Sequence, residues 1–308
     1  MRLPLHAPEC FNCPNIIRET KVTTISGRQK LRAILSGDKC VHPAPVFDPM
    51  SIRMAEDIGF EIGMLGGSIA SYVILGDPDI TLMTQTEFAE QCRRICRASD
   101  LPLCVDADHG YGNALNVART IIELETSGVA GLSIEDTLLP APHASLPLAK
   151  LISIEEMTGK LRAALAARRD PELCIFGRTH AGLCDGPELA ERLKAMEACG
   201  VDALFIVGFK SREQLQAATA ATSLPLVLGG APADLKDLEG LASEGVRICL
   251  QGHPTWKAAV EGIYKTLVKM RTGTDVADVQ PPADILERYS RSAFYDVGKA
   301  DYLGYGGK

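Results

Sequence analysis

The chain has no apolar run approaching the ~18 residues that a membrane span requires, and its first stretch, "MRLPLHAPECFNCPNII", has no compact apolar segment of the signal-peptide kind. Neither a membrane partner nor a secretory route is expected, so the sequence is read as cytoplasmic. Basic residues are not in excess either. Lys and Arg number 32 against 39 Asp and Glu, a net charge of −7, and the pI is near 5.5. With no basic stripe as well, a nucleic-acid surface is excluded. Small anionic substrates are not, because a pocket can be locally positive on an acidic protein. No GxGxxG follows the first apolar run, where "PAPVFDP" (43–49) makes a poor phosphate loop.

Cysteine is plentiful but lacks a pattern. The ten residues are scattered, and Cys92, Cys96, Cys104, Cys174 and Cys249 sit inside apolar runs, as small hydrophobes do in a reducing compartment. Cys10 and Cys13 form one CxxC with only His6 nearby. A structural zinc needs a second ligand pair, so two incidental thiols on an arm are the simpler reading.

What is present is a repeated alternation. Apolar runs at 40–48, 61–67, 101–108, 130–136, 173–181, 203–209, 224–230 and 246–253 are separated by amphipathic stretches such as "NVARTIIELETSG" and "GPELAERLKAMEACG". Continuous apolar runs suit strands buried on both faces of a parallel sheet, and spacings of three and four suit helices. Eight such rounds predict an α/β fold, a (β/α)8 TIM-type barrel, with a doubly wound open sheet as the alternative. Residues 1–28 read as an N-terminal arm and 29–270 as the barrel domain. Residues 271–308 read as a helical tail whose tyrosines suit packing on a neighbouring subunit.

Charged residues gather at the C-terminal ends of the predicted strands, where barrels of this kind carry their chemistry. They are Asp48, Asp106 and Asp108, Glu135 and Asp136, Arg178 and His180, and His253, with Gly66-Gly67-Ser68 after the second run. Asp106 and Asp108, spaced i and i+2, would face one side of a strand, and Glu135 ends the next strand. Three carboxylates without imidazole or thiolate form an all-oxygen site suited to Mg²⁺, or Mn²⁺, rather than zinc. Arg178 offers a forked cation for a substrate carboxylate, and Gly67-Ser68-Ile69 offers backbone N–H groups to a second anion. Taken singly, Asp106 could equally be a cap and Arg178 a buried ion-pair partner. His109 and His180 read as hydrogen-bonded loop residues at least as well as functional ones. His143, in the proline-rich stretch "PAPHASLP", reads better as part of a loop than as a catalyst.

Together, "GFEIGMLGGSIASYVILGDPD" (59–79), "DADHGYGN" (106–113), "GVAGLSIED" (128–136) and "GRTHA" (177–181) resemble, in order and spacing, the isocitrate lyase / phosphoenolpyruvate mutase superfamily. The resemblance implies a barrel whose last helix is swapped between subunits, assembled as a homotetramer, a dimer of dimers. It implies Mg²⁺ bound through Asp106, with Asp108 and Glu135 contributing through water. A 2-oxo acid would be held by Arg178, His253 and the Gly67–Ser68–Ile69 turn, with Asp79 alongside. Lyases of the superfamily carry a lid cysteine after the IED motif; here that stretch, "TLLPAPHASLPLAK", has none. The asparagine-rich lid of the phosphonate mutases and hydrolases is also missing. "DADHGYGNALNVARTIIELE", "IEDTLLP" and "QGH" look like the oxaloacetate decarboxylase branch. That implies Mg²⁺-dependent decarboxylation of oxaloacetate to pyruvate and CO₂, with Asp106, Arg178 and His253 as catalytic residues and His253 or Tyr111 as proton source. The alternatives are a carbon–carbon lyase or hydrolase acting on a substituted malate, such as 2,3-dimethylmalate or methylisocitrate, and a phosphonate-metabolising enzyme. A barrel that only binds a 2-oxo acid is a third reading.

Overall fold

The computed structural model describes residues 25–143, 149–232, 237–277, 281 and 283–304. Cys10 and Cys13, and the segment 144–148 just after His143, lie outside the described residues. Residues Ser26–Leu267 form one compact unit, and the described residues from Val268 onward belong to a second.

In the first unit the apolar runs become eight parallel strands in sequential order. They are β1 (Ala44–Pro45), β2 (Gly63–Leu65), β3 (Leu103–Asp106), β4 (Gly131–Glu135), β5 (Cys174–His180), β6 (Ala203–Val207), β7 (Leu226–Leu228) and β8 (Val246–Cys249). Val41, just ahead of β1, pairs in parallel with Ile248. It donates to the Arg247 carbonyl (2.9 Å) and accepts from the Cys249 N–H (3.0 Å), so the sheet closes into a barrel. Almost every strand residue is buried, because side chains on one face fill the barrel and those on the other meet the helices.

The helices on the barrel wall are α2 (Pro49–Ile58), α3 (Gly67–Ile74), α4 (Gln85–Cys96), α5 (Ala114–Ser127), α6 (Ile154–Ala167), α7 (Gly186–Cys199), α8 (Arg212–Ala220) and α9 (Leu238–Ser243). The helix α1 (Gly27–Ser36) has a different task. Leu31 and Leu35 enter the cluster that fills the barrel, with Ile62, Cys104, Phe176 and Ile248. A Cβ on Gly131 would lie 2.6 Å from Leu31 Cδ2, so β4 carries glycine where this plug seats. Arg28 donates to the carbonyls of Val129 (3.0 Å) and Glu125 (2.6 Å), and Arg32 to that of Glu172 (3.1 Å). These carbonyls precede β4 and β5, so α1 stoppers the N-terminal end of the barrel and leaves the C-terminal end for chemistry.

Helix α10 (Pro254–Thr272) follows β8 and contains no buried residue. Among the described residues no helix is long and apolar enough to cross a membrane. In the second unit α11 (Ala283–Ser290) and α12 (Ser292–Leu303) are joined at Arg291, which has φ +62° and stacks its guanidinium over Phe294.

Candidate active site

Period-two alternation decides which polar groups enter the barrel. In β3, β4 and β5 the inward column reads Cys104–Asp106, Ser133–Glu135 and Phe176–Arg178, apolar or small below and charged above. Parallel register sets Asp106 beside Ser133 and Glu135 beside Arg178. Arg178 pairs through Nη1 with Asp106 Oδ2 and through Nη2 with Glu135 Oε2 at 3.2 Å. Its planar face lies over the Phe205 ring, 5.2 Å from the centroid. Asp106 Oδ1 accepts from the Asp108 N–H (3.2 Å) and from Ser133 Oγ (3.3 Å).

Asp108 is not on the strand. β3 ends at Asp106, and the chain turns with Asp108 at φ +47°, so its buried carboxylate reaches the site from the loop rather than by strand alternation. That carboxylate abuts the start of α3: a Cβ on Gly67 would lie 2.6 Å from Asp108 Oδ1. A Cβ on neighbouring Gly66 would lie 2.6 Å from His253 Cε1, and Ser68 Oγ is 3.4 Å from His253 Nε2. Ile69 departs from the expectation. Its side chain is in the core and its N–H already donates to the Gly66 carbonyl (3.1 Å), because the turn opens a helix. Gly67 and Ser68, at the start of that helix, have no intrahelical acceptor for their N–H groups. Asp79 is exposed, within the electrostatic reach of Asp106 and Arg178.

Charge is badly balanced here. Asp79, Asp106, Asp108 and Glu135 share one guanidinium. Burial pushes Asp108 well above the usual carboxylate range, and Asp106, Asp79 and Glu135 add to it. Burial takes Glu135 up to about 7 despite Arg178. Lost hydration and then Asp106 raise Asp79. Against the opposing effect of burial, Arg178 is held further into its charged state by Asp106 and Glu135, and its Nε is a buried donor without a partner among the described residues. A surplus of oxygen donors and negative charge fits a hard divalent cation. Among the described residues no three Asp, Glu, His or Cys side chains close on one point. A cation held by this set would therefore keep water in most of its coordination positions.

Other sequence candidates lie elsewhere. Asp136, one residue past Glu135, points outward and is fully buried, accepting from Thr179 Oγ1 (2.9 Å) and Arg192 Nη1 (3.1 Å). Asp48 caps α2, accepting from the Ser51 N–H (2.7 Å). His180 Nδ1 accepts from the Gly182 N–H (3.0 Å) beside Gly208, a loop role. His109 is buried, taken down to about 4 by lost hydration and then Lys160. His143 is exposed. Tyr111 has a buried hydroxyl without a partner among the described residues.

Sequence reading missed Ser133 and Lys160. Lys160 had a signal: Met157, Lys160, Leu161 and Ala164 share the buried stripe of α6, a position where a lysine must have a partner.

The model of the family described as phosphoenolpyruvate phosphomutase matches residues 31–271. The chain is 53% identical over 283 residues to an oxaloacetate decarboxylase of Bradyrhizobium diazoefficiens, covering 91% of this chain and 98% of the relative. It superposes on an oxaloacetate acetylhydrolase in complex with 3,3-difluorooxalacetate with TM-score 0.79 at 32% identity, over 92% of this chain and 98% of that one. A phosphonopyruvate hydrolase in complex with oxalate and Mg²⁺ gives TM-score 0.79 at 27% identity, over 90% and 99%. The shared barrel, the register of Asp106, Glu135 and Arg178, and these matches lead to one statement: the chain belongs to the phosphoenolpyruvate phosphomutase family.

Proposed function

We propose that the protein decarboxylates oxaloacetate, or a close 2-oxo acid, to pyruvate and CO₂ with Mg²⁺ as cofactor. The observation that carries this reading is the division of the bowl. Acids and Arg178 stand on β3 to β5, whereas the inward positions of β6 and β7 carry Phe205, Val207 and Val227, with Gly229 just beyond β7. A substrate gripped at the charged side extends its far end toward these apolar side chains, which favours losing a carboxylate as neutral CO₂.

Asp106, Asp108 and Glu135 would hold the cation. When bound it supplies Lewis-acid stabilisation of charge developing on a 2-oxo oxygen. Arg178, fixed by Asp106, Glu135 and the Phe205 ring, orients the C1 carboxylate. The Gly67 and Ser68 N–H groups and the positive end of α3 receive anionic oxygen. The C3–C4 bond breaks, its electron pair stays with the three-carbon fragment, and C3 takes one proton. His253, beside Ser68 and pushed toward its neutral form by lost hydration, passes that proton from water. No thiol acid is needed.

The assembly proposed is a homotetramer, a dimer of dimers. It is supported by α10, which exposes Val260, Ile263, Tyr264 and Leu267 along one stretch. Cytoplasmic residence is supported by the free cysteines among the described residues. Product analysis with oxaloacetate tests the function: pyruvate and CO₂, abolished by chelator and restored by Mg²⁺, are expected. Oxalate and acetate would indicate a hydrolase instead, and no turnover of oxaloacetate would overturn the reading. Sedimentation analysis tests the tetramer, which a monomer would refute.

A further inference from the structure

The loop after β3 is unusually constrained for one so short. Asp108 (φ +47°), Gly110 (φ +79°), Tyr111 (φ +62°) and Gly112 (φ +145°) lie in the region that L side chains avoid, and only the two glycines enter it freely. Such a backbone persists when its surroundings hold it from several directions. Three successive carbonyls are tied to three different elements. Asp108 O accepts from the Glu135 N–H of β4 (2.8 Å), His109 O from Lys160 Nζ of α6 (3.1 Å), and Gly110 O from Thr120 Oγ1 of α5 (3.1 Å).

Lys160 is the unexpected member. It is 3% exposed, and a buried ammonium is costly without a counter-ion. The sole hydrogen bond seen for its Nζ among the described residues is the one to the His109 carbonyl. Thr120 of α5, fully buried, shares its one hydroxyl proton between the adjoining Gly110 carbonyl (3.1 Å) and the Asn116 carbonyl of its own helix (3.0 Å), so it assists rather than replaces Lys160.

We propose that Lys160, assisted by Thr120, is a positioning residue that locks the 107–112 loop in its left-handed path and so holds Asp108 against Gly67 and Asp106. This rests on the metal-assisted reading above but concerns the geometry of the binding set. The rival explanation is that Lys160 merely offsets negative charge. The two differ in sign. Removing a charge-offsetting lysine strengthens attraction for Mg²⁺. Removing a clamp disperses the oxygen donors and weakens it.

The experiment compares full-length wild type with Lys160→Met, Lys160→Arg and Thr120→Val. Mg²⁺ titration calorimetry, hydrogen–deuterium exchange of the peptide spanning 107–113 without metal, and kcat on oxaloacetate are the readouts. Lys160→Met is expected to weaken Mg²⁺ binding about 10-fold or more and to speed exchange in that peptide but not in β5. It should also lower kcat about 10- to 100-fold with a smaller change in KM. Lys160→Arg, which keeps a donor, recovers much of each effect. Should Lys160→Met fail to fold, Thr120→Val is expected to move exchange and Mg²⁺ affinity the same way to a smaller extent. Unchanged or tighter Mg²⁺ binding together with unchanged loop exchange in the folded variants would overturn the proposal. A wild type that binds Mg²⁺ but does not decarboxylate oxaloacetate would sink the function and leave the clamp standing, because exchange and calorimetry need no turnover.

Discussion

A methyl group on Gly67 would stand 2.6 Å from the Asp108 carboxylate oxygen, so the first residue of α3 and the loop after β3 are fitted to each other without room for a side chain. The neighbouring atom is the far end of a side chain, so Gly67→Ala is accommodated by displacing Asp108. Activity is expected to fall at least about tenfold, with a higher Mg²⁺ requirement and a nearly unchanged thermal midpoint. Gly159→Ala is the control. It lies within α6 with nothing within 4 Å of the new Cβ, and should be neutral or up to about 1 kcal/mol more stable.

Arg178 bridges Asp106 and Glu135 through two different nitrogens, which a point charge cannot reproduce. Both Arg178→Met and Arg178→Lys should therefore lose about 100-fold or more in kcat/KM. Mg²⁺ binding to Arg178→Met, followed by calorimetry, should tighten, because the same carboxylates are left without their guanidinium.

Asp136 and Glu135 are neighbours in sequence and opposites in role. Asp136→Ala removes one of the two carboxylates paired with buried Arg192, leaving Glu188 and the Ile152 carbonyl, and should cost about 3 kcal/mol in chemical denaturation. Glu135→Gln should leave the denaturation midpoint close to wild type and reduce turnover.

The buried thiols make stability depend on alkaline pH. Burial pushes Cys40, Cys96 and Cys174 up to about 12 from the ordinary value of 9.0. The folded chain keeps protons that the unfolded chain releases, so this stabilisation is complete below pH 9 and is lost as pH rises toward 12. Thermal midpoints under reducing conditions should fall steadily above pH 9, and Cys96→Ala should make that fall shallower.

Much of the fold was legible in the sequence. Each of the eight strands falls inside the apolar run assigned to it, because a strand buried on both faces must be apolar throughout. Asn113 is a residue type that favours opening a helix, and its side chain accepts the Leu115 and Asn116 N–H groups at the start of α5. Asp108 was misplaced onto the strand because a period-two rule extends only as far as the strand does, and β3 stops at Asp106. Asp136 and Glu135 are adjacent acids at the end of one apolar run, and only Glu135 belongs to the three-carboxylate set read from the sequence. One step along a strand sends the second to the opposite face.

The chain alone determines the alternation that builds the barrel, the end at which its acids and Arg178 collect, and the oxygen character of the donor set. All three follow from local periodicity and residue chemistry. Tertiary structure decided the rest. The closure of β8 onto Val41, the seating of Leu31 against Gly131, the fit of Asp108 to Gly67 and the reach of Lys160 to the His109 carbonyl each join residues dozens to hundreds of positions apart. Such contacts depend on how whole elements pack, and no local pattern encodes that.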